Sequence, residues 1–375
     1  MADPIWVDRQ QALQEMILDL RDQPSLAVDT ESNSLYVYHE RVCLIQISTP
    51  QRDYLIDPLA LHDLSSLAPI FDNPGQEKIF HASEYDLISL KRDFGFRIEH
   101  LFDTMIAARI LGIAKFGLAP LLELKLGVTV DKHFQRANWG IRPLSAPMLD
   151  YARLDSHYLF QLREILINDL QQRDLLTLAE EDFNLARNVK VPVNCDKQSQ
   201  CWKVAGSQHI EPAQAAILQE LCSYRDEQAR RLNLPLFRIF SNELLMELVL
   251  QPPQSLEELT TYKGMNARIV RNYGAGLMEA ITRGRQRPPM YREPRIRPSE
   301  AFLKRLEGLK EWRKKTARDL KVESDVVLPR EILEQIAEHN PCTSSDLAEI
   351  MHAVPWRYEH FGDSIHTVLR KLEEA

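Results

Sequence analysis

Two acidic residues at the end of an apolar run could form part of a metal site. Residues 25–31, Ser-Leu-Ala-Val-Asp-Thr-Glu, contain Asp29 and Glu31, which are two residues apart. In an extended strand, residues i and i+2 project from the same face, so both carboxylates could bind one cation. An isolated pair of this kind more often lies at a solvated strand edge or at the start of a turn. The pair therefore indicates a metal site only if further ligands join it.

Two more acidic residues and a tyrosine could complete such a site. Asp86 is expected in the first turn of the helix that follows the strand-like run 78–82, and Asp155 comes four residues after Tyr151 in a predicted helix. The four-residue spacing places the phenol and the carboxylate on one helical face. Each residue also has a structural alternative. Asp86 could form a capping box with Ser83, whereas Tyr151 could be a core aromatic residue and Asp155 could pair with a surface arginine.

The elements that would position these residues alternate between strands and helices in the first 110 residues, and mostly helices follow. Apolar, β-branched runs predict strands, and apolar residues at helical spacing predict helices. The predicted strands are 26–28, 42–47, 54–56 and 78–82, and the predicted helices are 7–21, 83–94, 105–111, 119–126 and 146–170. The first three strands are close enough for an antiparallel meander. We therefore expect residues 1–190 to form an α/β domain with a mixed sheet rather than a doubly wound one.

The second half contains an internal repeat at an offset of 88 residues. The matched positions are Tyr224 with Trp312, Arg225 with Arg313, Ala229 with Ala317, Leu232 with Leu320, Leu245 with Leu333, Pro253 with Pro341, Leu259 with Leu347, Tyr273 with Phe361 and Gly274 with Gly362. This register predicts one small all-α domain present twice, over residues 210–284 and 299–375. The proline-rich segment 287–298 would be a stiff spacer between the copies.

Composition bounds the class of protein. Residues 1–200 carry 20 basic and 29 acidic residues, whereas the segment 283–321 carries 14 basic and 5 acidic ones, which suits a polyanion partner or a solvated linker. The longest apolar runs are too short to cross a membrane, and the N-terminus lacks a secretion signal. Five cysteines without C-x-x-C spacing indicate neither a disulfide framework nor a zinc site. A reducing cytoplasm is the expected location.

The acidic residues and the words around them resemble the DEDD exonuclease superfamily, in its tyrosine-containing (DEDDy) branch. The matching words are Leu26-Ala-Val-Asp-Thr-Glu31, Val42-Cys-Leu-Ile-Gln-Ile47, Ile56-Asp-Pro-Leu59, Phe80-His-Ala-Ser-Glu-Tyr-Asp-Leu87, Asp103-Thr104, Trp139, Arg142-Pro-Leu144 and Tyr151-Ala-Arg-Leu-Asp155. The repeated unit resembles the HRDC domain. The resemblance implies a ribonuclease-H-like exonuclease domain followed by two HRDC domains, and it covers about residues 5–370.

The resemblance also implies a metal-dependent chemistry for the four acidic residues. Oxygen ligands favour Mg²⁺ or Mn²⁺ over zinc, and two divalent cations about 3.5–4 Å apart could activate a water and stabilise a leaving 3′ oxygen. Asp29 would bridge both cations, Glu31 and Asp155 would complete the first site, and Asp86 would support the second through water. Tyr151 would orient the attacking water, because a phenol with a pKa of about 10 is a poor base at neutral pH.

The implied activity is that of a monomeric 3′-to-5′ exoribonuclease. It would release nucleoside 5′-monophosphates and would trim the 3′ end of structured RNA, with precursor tRNA as the family's implied substrate. The alternatives are a 3′-to-5′ DNA exonuclease, since the same acidic residues serve both sugars, and an RNA-binding adaptor with an inactive nuclease fold. The presence of four acidic residues and the tyrosine argues against the adaptor.

Several further residues are candidates for contact with the substrate. They are His81, Lys132, Gln135, Trp139 and Arg142, and the last four lie before the helix of Tyr151. They could contact the RNA backbone or stack on the terminal base, or they could form a packed loop that seals this helix.

Three positions depart from the family pattern or compete with a predicted role. Polar residues follow Glu31, so the wall beside the metals is expected to be more polar than usual. Asp103 is a rival for the third acidic position, but we interpret it as a helix N-cap. The second HRDC copy has His352 where the first has Gly264, which makes a nucleic-acid contact by that loop doubtful.

Overall fold

The N-terminal domain is built on a mixed sheet. The computed structural model describes residues 3–192, 197–292 and 297–373. Within these residues there is a six-stranded sheet of order β1-β4-β3-β2-β5-β6. The strands are β1 (Ile5–Val7), β2 (Ser25–Ser32), β3 (Val42–Ser48), β4 (Asp53–Ile56), β5 (Glu77–Phe80) and β6 (Leu101–Asp103). β3 is antiparallel to β2 and β4, and the other neighbours are parallel. The predicted α/β fold with a mixed sheet is confirmed.

Helices flank this sheet largely where the sequence predicts them. They are α1 (Gln10–Arg21), α2 (Ala68–Phe71), α3 (Glu84–Phe94), α4 (Thr104–Ile110), α5 (Leu118–Leu126), α6 (Ala146–His157), α7 (Leu159–Gln172) and α8 (Leu176–Arg187). α3 ends because Gly95 adopts a left-handed conformation with φ of 73°. The single helix predicted over 146–170 is instead two helices that meet at Tyr158. The sequence does not predict β1 and β6, because a strand of three residues carries too little periodicity.

The two faces of the sheet pack against different hydrophobic clusters. Val28 and Ile45 belong to the main hydrophobic core on one face. Leu44 belongs to a smaller cluster to which α6 contributes on the other face. Glu31 is the cross-strand partner of Leu44, and Asp29 is two residues before Glu31 on β2. Both carboxylates therefore lie on the face of the sheet that α6 covers.

The second half of the chain contains two copies of one helical domain. The helices are α9 (Lys197–Ala205), α10 (Pro212–Leu232), α11 (Leu236–Ile239), α12 (Asn242–Leu250), α13 (Ala267–Gln286), α14 (Glu300–Leu320), α15 (Ser324–Val327), α16 (Arg330–His339), α17 (Ser344–Ile350) and α18 (Pro355–Glu373). α14, α15, α16 and α18 begin 88 residues after α10, α11, α12 and α13. Arg225 and Arg313 also make equivalent hydrogen bonds, to the backbone oxygens of Phe240 and Leu328. The helices thus follow the offset found in the sequence.

The chain divides into two compact units, of which the first holds the sheet domain and the second helical copy. Within this unit, Arg357 of α18 is 0% exposed and pairs with Glu181 at 3.0 Å and with Asp182 at 2.8 Å, both on α8. Arg109 of α4 pairs with Glu323 at 2.7 Å. Because the buried guanidinium has partners on the sheet domain, the second copy is fixed to that domain.

The structure tests two expectations, one about membrane-spanning helices and one about disulfides. Within the described residues, no helix is both long and apolar enough to span a bilayer. The cysteines indicated no disulfide framework, but one pair forms a disulfide. Cys201 of α9 and Cys222 of α10 are linked, with their Cα atoms 6.0 Å apart. The odd number and the spacing of the cysteines did not reveal this pair, because the packing of α9 on α10 brings the two residues together.

Candidate active site

Three of the predicted ligands come together between β2 and α6. Asp29 and Glu31 extend from β2, and Asp155 extends from α6. One carboxylate oxygen from each residue lies within 4.8 Å of the others. Three oxygens at such distances can surround one divalent cation.

Asp86 lies beside this trio. It is in the first turn of α3 and is 7% exposed. Its Oδ1 accepts a hydrogen bond of 2.5 Å from the Thr30 hydroxyl. Ser83 makes no side-chain capping bond, so the alternative capping box is not formed. The Thr30 hydroxyl instead ties the start of α3 to β2, between the two acidic residues of that strand.

The acidic residues destabilise one another's ionised forms. Burial, followed by repulsion from Asp86, Asp155 and Glu31, raises the pKa of Asp29 well above its usual range. The pKa of Glu31 is raised to about 9, first by burial and then by Asp155 and Asp86.

The remaining two carboxyls behave similarly. Burial and then repulsion from Asp86 raise the pKa of Asp155 to about 7. Burial raises the pKa of Asp86 to about 7 as well, against the lowering effect of the hydrogen bond from Thr30. These four carboxylates, of which Asp86 is buried and the other three are half-buried, have no cationic side chain among the groups that shift their pKa values. Such a cluster fits divalent cations, which would supply the missing positive charge.

Tyr151 is held next to the trio by aromatic packing. Its ring centroid lies 5.9 Å from that of Phe134 and 6.1 Å from that of Trp139. Burial, followed by the charges of Asp155, Glu31 and Asp29, raises the pKa of Tyr151 further above its usual value. The phenol therefore stays protonated at neutral pH and can donate a hydrogen bond, but it cannot act as a base.

The structure assigns packing roles to two predicted substrate contacts. Trp139 is 1% exposed and packs in the cluster beneath α6, so its ring is not open to a terminal base. Arg142 donates two hydrogen bonds of 2.6 Å to Asp57 and one of 2.7 Å to the Cys43 backbone oxygen. Packing and charge pairing occupy these two side chains, and substrate contact by them stays a prediction. The alternative of a sealing loop describes them.

The other candidate contacts differ in their surroundings. His81 is half-buried with Nδ1 2.9 Å from the Thr104 hydroxyl, and burial lowers its pKa. Lys132 and Gln135 are exposed and lie in the segment before α6, where they remain candidates for substrate contact. Asp103 caps α4 by accepting from the backbone N–H groups of residues 105 and 106, which confirms it as an N-cap.

Two polar residues beside the acidic cluster were not predicted from the sequence. Thr30 was one, since a threonine between two acidic residues carries no signal of its own. Gln46 was the other. It is fully buried opposite Asp29 on β3, and its amide nitrogen and oxygen have no hydrogen-bond partner among the described residues. Gln46 could have been noticed in the sequence, because it is the one polar amide within the apolar run 42–47.

Known families and proteins are similar to this chain over most of its length. Residues 4–171 match the family described as 3′-5′ exonuclease, and residues 214–281 and 302–369 match the HRDC domain. Ribonuclease D from Pseudomonas paraeruginosa is 28% identical over 99% of this chain and 98% of its own. The crystal structure of Escherichia coli RNase D, described as an exoribonuclease involved in structured RNA processing, is similar with a TM-score of 0.72. It is 25% identical and covers 99% of both chains.

A second group of relatives is longer than this chain. The exosome complex exonuclease RRP6 from Saccharomyces cerevisiae is 35% identical over 72% of this chain. This chain spans 20–40% of the length of that protein and of two RRP6-like proteins from Arabidopsis thaliana. The chain therefore belongs to the 3′-5′ exonuclease family, in the ribonuclease D arrangement of one exonuclease domain followed by two HRDC domains.

Proposed function

We propose that the protein is a metal-dependent 3′-to-5′ exoribonuclease. It releases nucleoside 5′-monophosphates and trims the 3′ ends of structured RNA such as precursor tRNA. The observation that carries this proposal is the trio of Asp29, Glu31 and Asp155, whose carboxylate oxygens lie within 4.8 Å of one another beside Tyr151. The similarity to ribonuclease D over 99% of the chain favours RNA as the substrate.

The acidic residues would hold two divalent cations, Mg²⁺ or Mn²⁺. Asp29, Glu31 and Asp155 would bind the first, and Asp29 would share the second with Asp86, which would act through water. The cations would supply a nucleophilic hydroxide at neutral pH and positive charge for the scissile phosphate. The mutual repulsion of these carboxylates supports this role, because binding of cations removes the repulsion.

Tyr151 would orient the attacking water. Its protonated phenol can donate a hydrogen bond, and contacts with Phe134 and Trp139 fix the ring. Fixing a donor in advance lowers the reorganisation needed during the reaction. The two aromatic residues would thus be positioning residues that act through Tyr151.

The remaining features of the proposal concern the whole chain. We propose an exonuclease domain over residues 1–190 and HRDC domains over 210–284 and 299–375, in a monomer located in the cytoplasm. The disulfide between Cys201 and Cys222 removes the argument for this location that rested on cysteine spacing. An RNA substrate still favours the cytoplasm.

One assay separates the proposal from its alternatives. A 3′-labelled RNA and its DNA analogue are incubated with the protein and Mg²⁺ or Mn²⁺, with and without a chelator. Metal-dependent release of labelled mononucleotide from RNA supports the proposal. Release from DNA alone would identify a DNA exonuclease, and no release with either metal would identify a binding protein.

A further inference from the structure

The two HRDC domains use the same helical face differently. In the first domain, α10 holds the loop of residues 33–41, which connects β2 to β3 and belongs to the same compact unit. The Tyr38 hydroxyl donates to Asp226, and the Tyr38 backbone N–H donates to Asn233 Oδ1 at 3.2 Å. The Arg230 guanidinium lies 5.6 Å from the centre of the Tyr38 ring. This face of α10 is therefore occupied by the chain's own loop.

The equivalent face of the second domain carries four basic residues. Lys310, Lys314, Arg318 and Lys321 lie 88 residues after Cys222, Asp226, Arg230 and Asn233. All four basic side chains are exposed. We call these four residues the α14 stripe.

The first three members of the α14 stripe share one face of the helix. Lys310, Lys314 and Arg318 are four residues apart, which is the spacing of neighbours on one helical face, and Lys321 follows directly after the helix. Their charges are thus about 6 Å apart along the axis at 1.5 Å per residue. Lys321 ends the helix in a left-handed conformation with φ of 57°, as Asn233 ends α10 with φ of 49°. The correspondence of the two faces therefore includes their last residue.

α10 and α14 differ in net charge. α14 contains seven basic and four acidic residues, whereas α10 contains three of each. A row of exposed cations on a helix with a net positive charge attracts polyanions. The phosphates of a nucleic acid strand are spaced on the same scale as these side chains.

The α14 stripe ends at the exonuclease domain. The backbone oxygen of Lys321 lies 2.6 Å from the position that a Cβ atom would take at Gly112, between α4 and α5. Shortly after the stripe, Glu323 and Asp325 pair with Arg109 of α4. A strand bound along the stripe would therefore be led to the surface of the domain that holds the acidic cluster.

We propose that the α14 stripe binds the phosphate backbone of the RNA substrate upstream of its 3′ end, whereas the equivalent face of the first HRDC domain serves to hold the loop of residues 33–41. This inference rests on the proposed function for the identity of the polyanion. Of the two equivalent helical faces, only that of the second HRDC domain would contact the substrate.

The test compares two charge-matched variants of the full chain. The first is Lys310→Glu/Lys314→Glu/Arg318→Glu, and the control is Lys304→Glu/Arg370→Glu/Lys371→Glu, which reverses three exposed charges elsewhere in the same domain. Binding of a fluorescent RNA hairpin with a single-stranded 3′ tail is measured by anisotropy at several salt concentrations, with chelator present to prevent digestion. Thermal melts confirm that both variants fold.

We expect the stripe variant to bind roughly tenfold or more weakly than the wild type, and the dependence of log affinity on log salt to fall by about two. The control should bind within about twofold of the wild type, because its charges lie off the stripe. Equal affinities of the two variants, whether both are weakened or both unchanged, would overturn the inference. Digestion by the wild-type protein is assayed separately, so a failure of the proposed function would be recognised independently of this binding result.

Discussion

The Thr30 hydroxyl donates a 2.5 Å hydrogen bond to Asp86, across the gap between β2 and α3. Thr30 lies between Asp29 and Glu31, so one strand supplies two acidic residues and also holds a third in place. The bond favours the ionised form of Asp86, since it lowers the pKa that burial raises. The position of Asp86 thus depends on a residue with no ligand atom of its own in the cluster.

Removing the Thr30 hydroxyl should weaken the site without unfolding the domain. A buried hydrogen bond to a charged group contributes about 1.5–3 kcal/mol, so we expect Thr30→Val to lower Mn²⁺ affinity roughly ten- to a hundredfold. The measurement is calorimetric titration with Mn²⁺. Thr30→Ser keeps the donor and should bind nearly as the wild type does, whereas equal loss in both variants would refute the role of the hydroxyl.

Tyr151→Phe should separate turnover from metal binding. Loss of one preorganised donor typically costs about 10²–10³-fold in turnover, and we expect a loss of this order with nearly unchanged Mn²⁺ binding. Single-turnover digestion of RNA and Mn²⁺ titration provide the two values. Tyr158→Phe, just beyond α6, is the control and should keep both. A parallel loss of metal binding in Tyr151→Phe would rule out an orienting role.

Gln46→Met should leave the stability of the domain unchanged. The buried amide opposite Asp29 makes no hydrogen bond among the described residues, so its removal leaves no partner unpaired. Gln76→Met is the matched control, because its buried amide donates to the backbone oxygens of Leu20 and Gln23, both at 2.7 Å. Denaturant unfolding should show a loss of about 1–3 kcal/mol for Gln76→Met alone. A similar loss for Gln46→Met would show that Gln46 is a structural residue.

Arg357→Met should detach the second HRDC domain from its support on α8. It leaves Glu181 and Asp182 without their buried partner, which typically costs about 3–5 kcal/mol. Arg330→Met, whose side chain is 80% exposed and pairs with Glu334, should cost less than about 0.5 kcal/mol. Thermal and denaturant unfolding give both values, and equal small effects would mean that the buried pair does not hold the domain.

The cost of Arg357→Met should also depend on pH. Burial raises the pKa of Glu181 and of Asp182, and removal of the guanidinium raises each pKa further. A carboxyl with a raised folded-state pKa binds more protons when folded, so its effect on stability becomes less favourable as pH rises. The difference between the variant and the wild type should therefore shrink from pH 8 towards pH 5. A difference that grows on acidification would contradict this assignment.

The sequence was sufficient for the parts of the fold and site that depend on spacing. The two-residue spacing of Asp29 and Glu31 placed both on one strand face, and their predicted proximity to Asp155 agrees with the structure. The offset of 88 residues reproduced the starts of four helices in each HRDC copy. Such patterns survive folding because they follow from the periods of strands and helices.

The remaining features depend on tertiary packing, which a single sequence does not display. The burial of Trp139 against Tyr151 and the pairing of Arg142 with Asp57 arise from contacts between distant segments. The disulfide between Cys201 and Cys222 arises in the same way. The segment before α6 would contain the same aromatic and basic residues whether they contact substrate or support the helix. The sequence alone therefore does not distinguish the two roles.

The most direct test of the central claim is a time course of 5′-labelled RNA digestion by variants of two aspartates on the same helix. Asp155 belongs to the acidic trio, whereas the Asp150 side chain is 68% exposed. With Mn²⁺, the wild type and Asp150→Asn should shorten the RNA one nucleotide at a time from its 3′ end, and chelator should stop both. The Asp155→Asn protein should leave the RNA intact. Its own melting temperature should be no lower than that of the wild-type protein. Digestion by Asp155→Asn at the wild-type rate would contradict the assignment of the acidic trio as the active site.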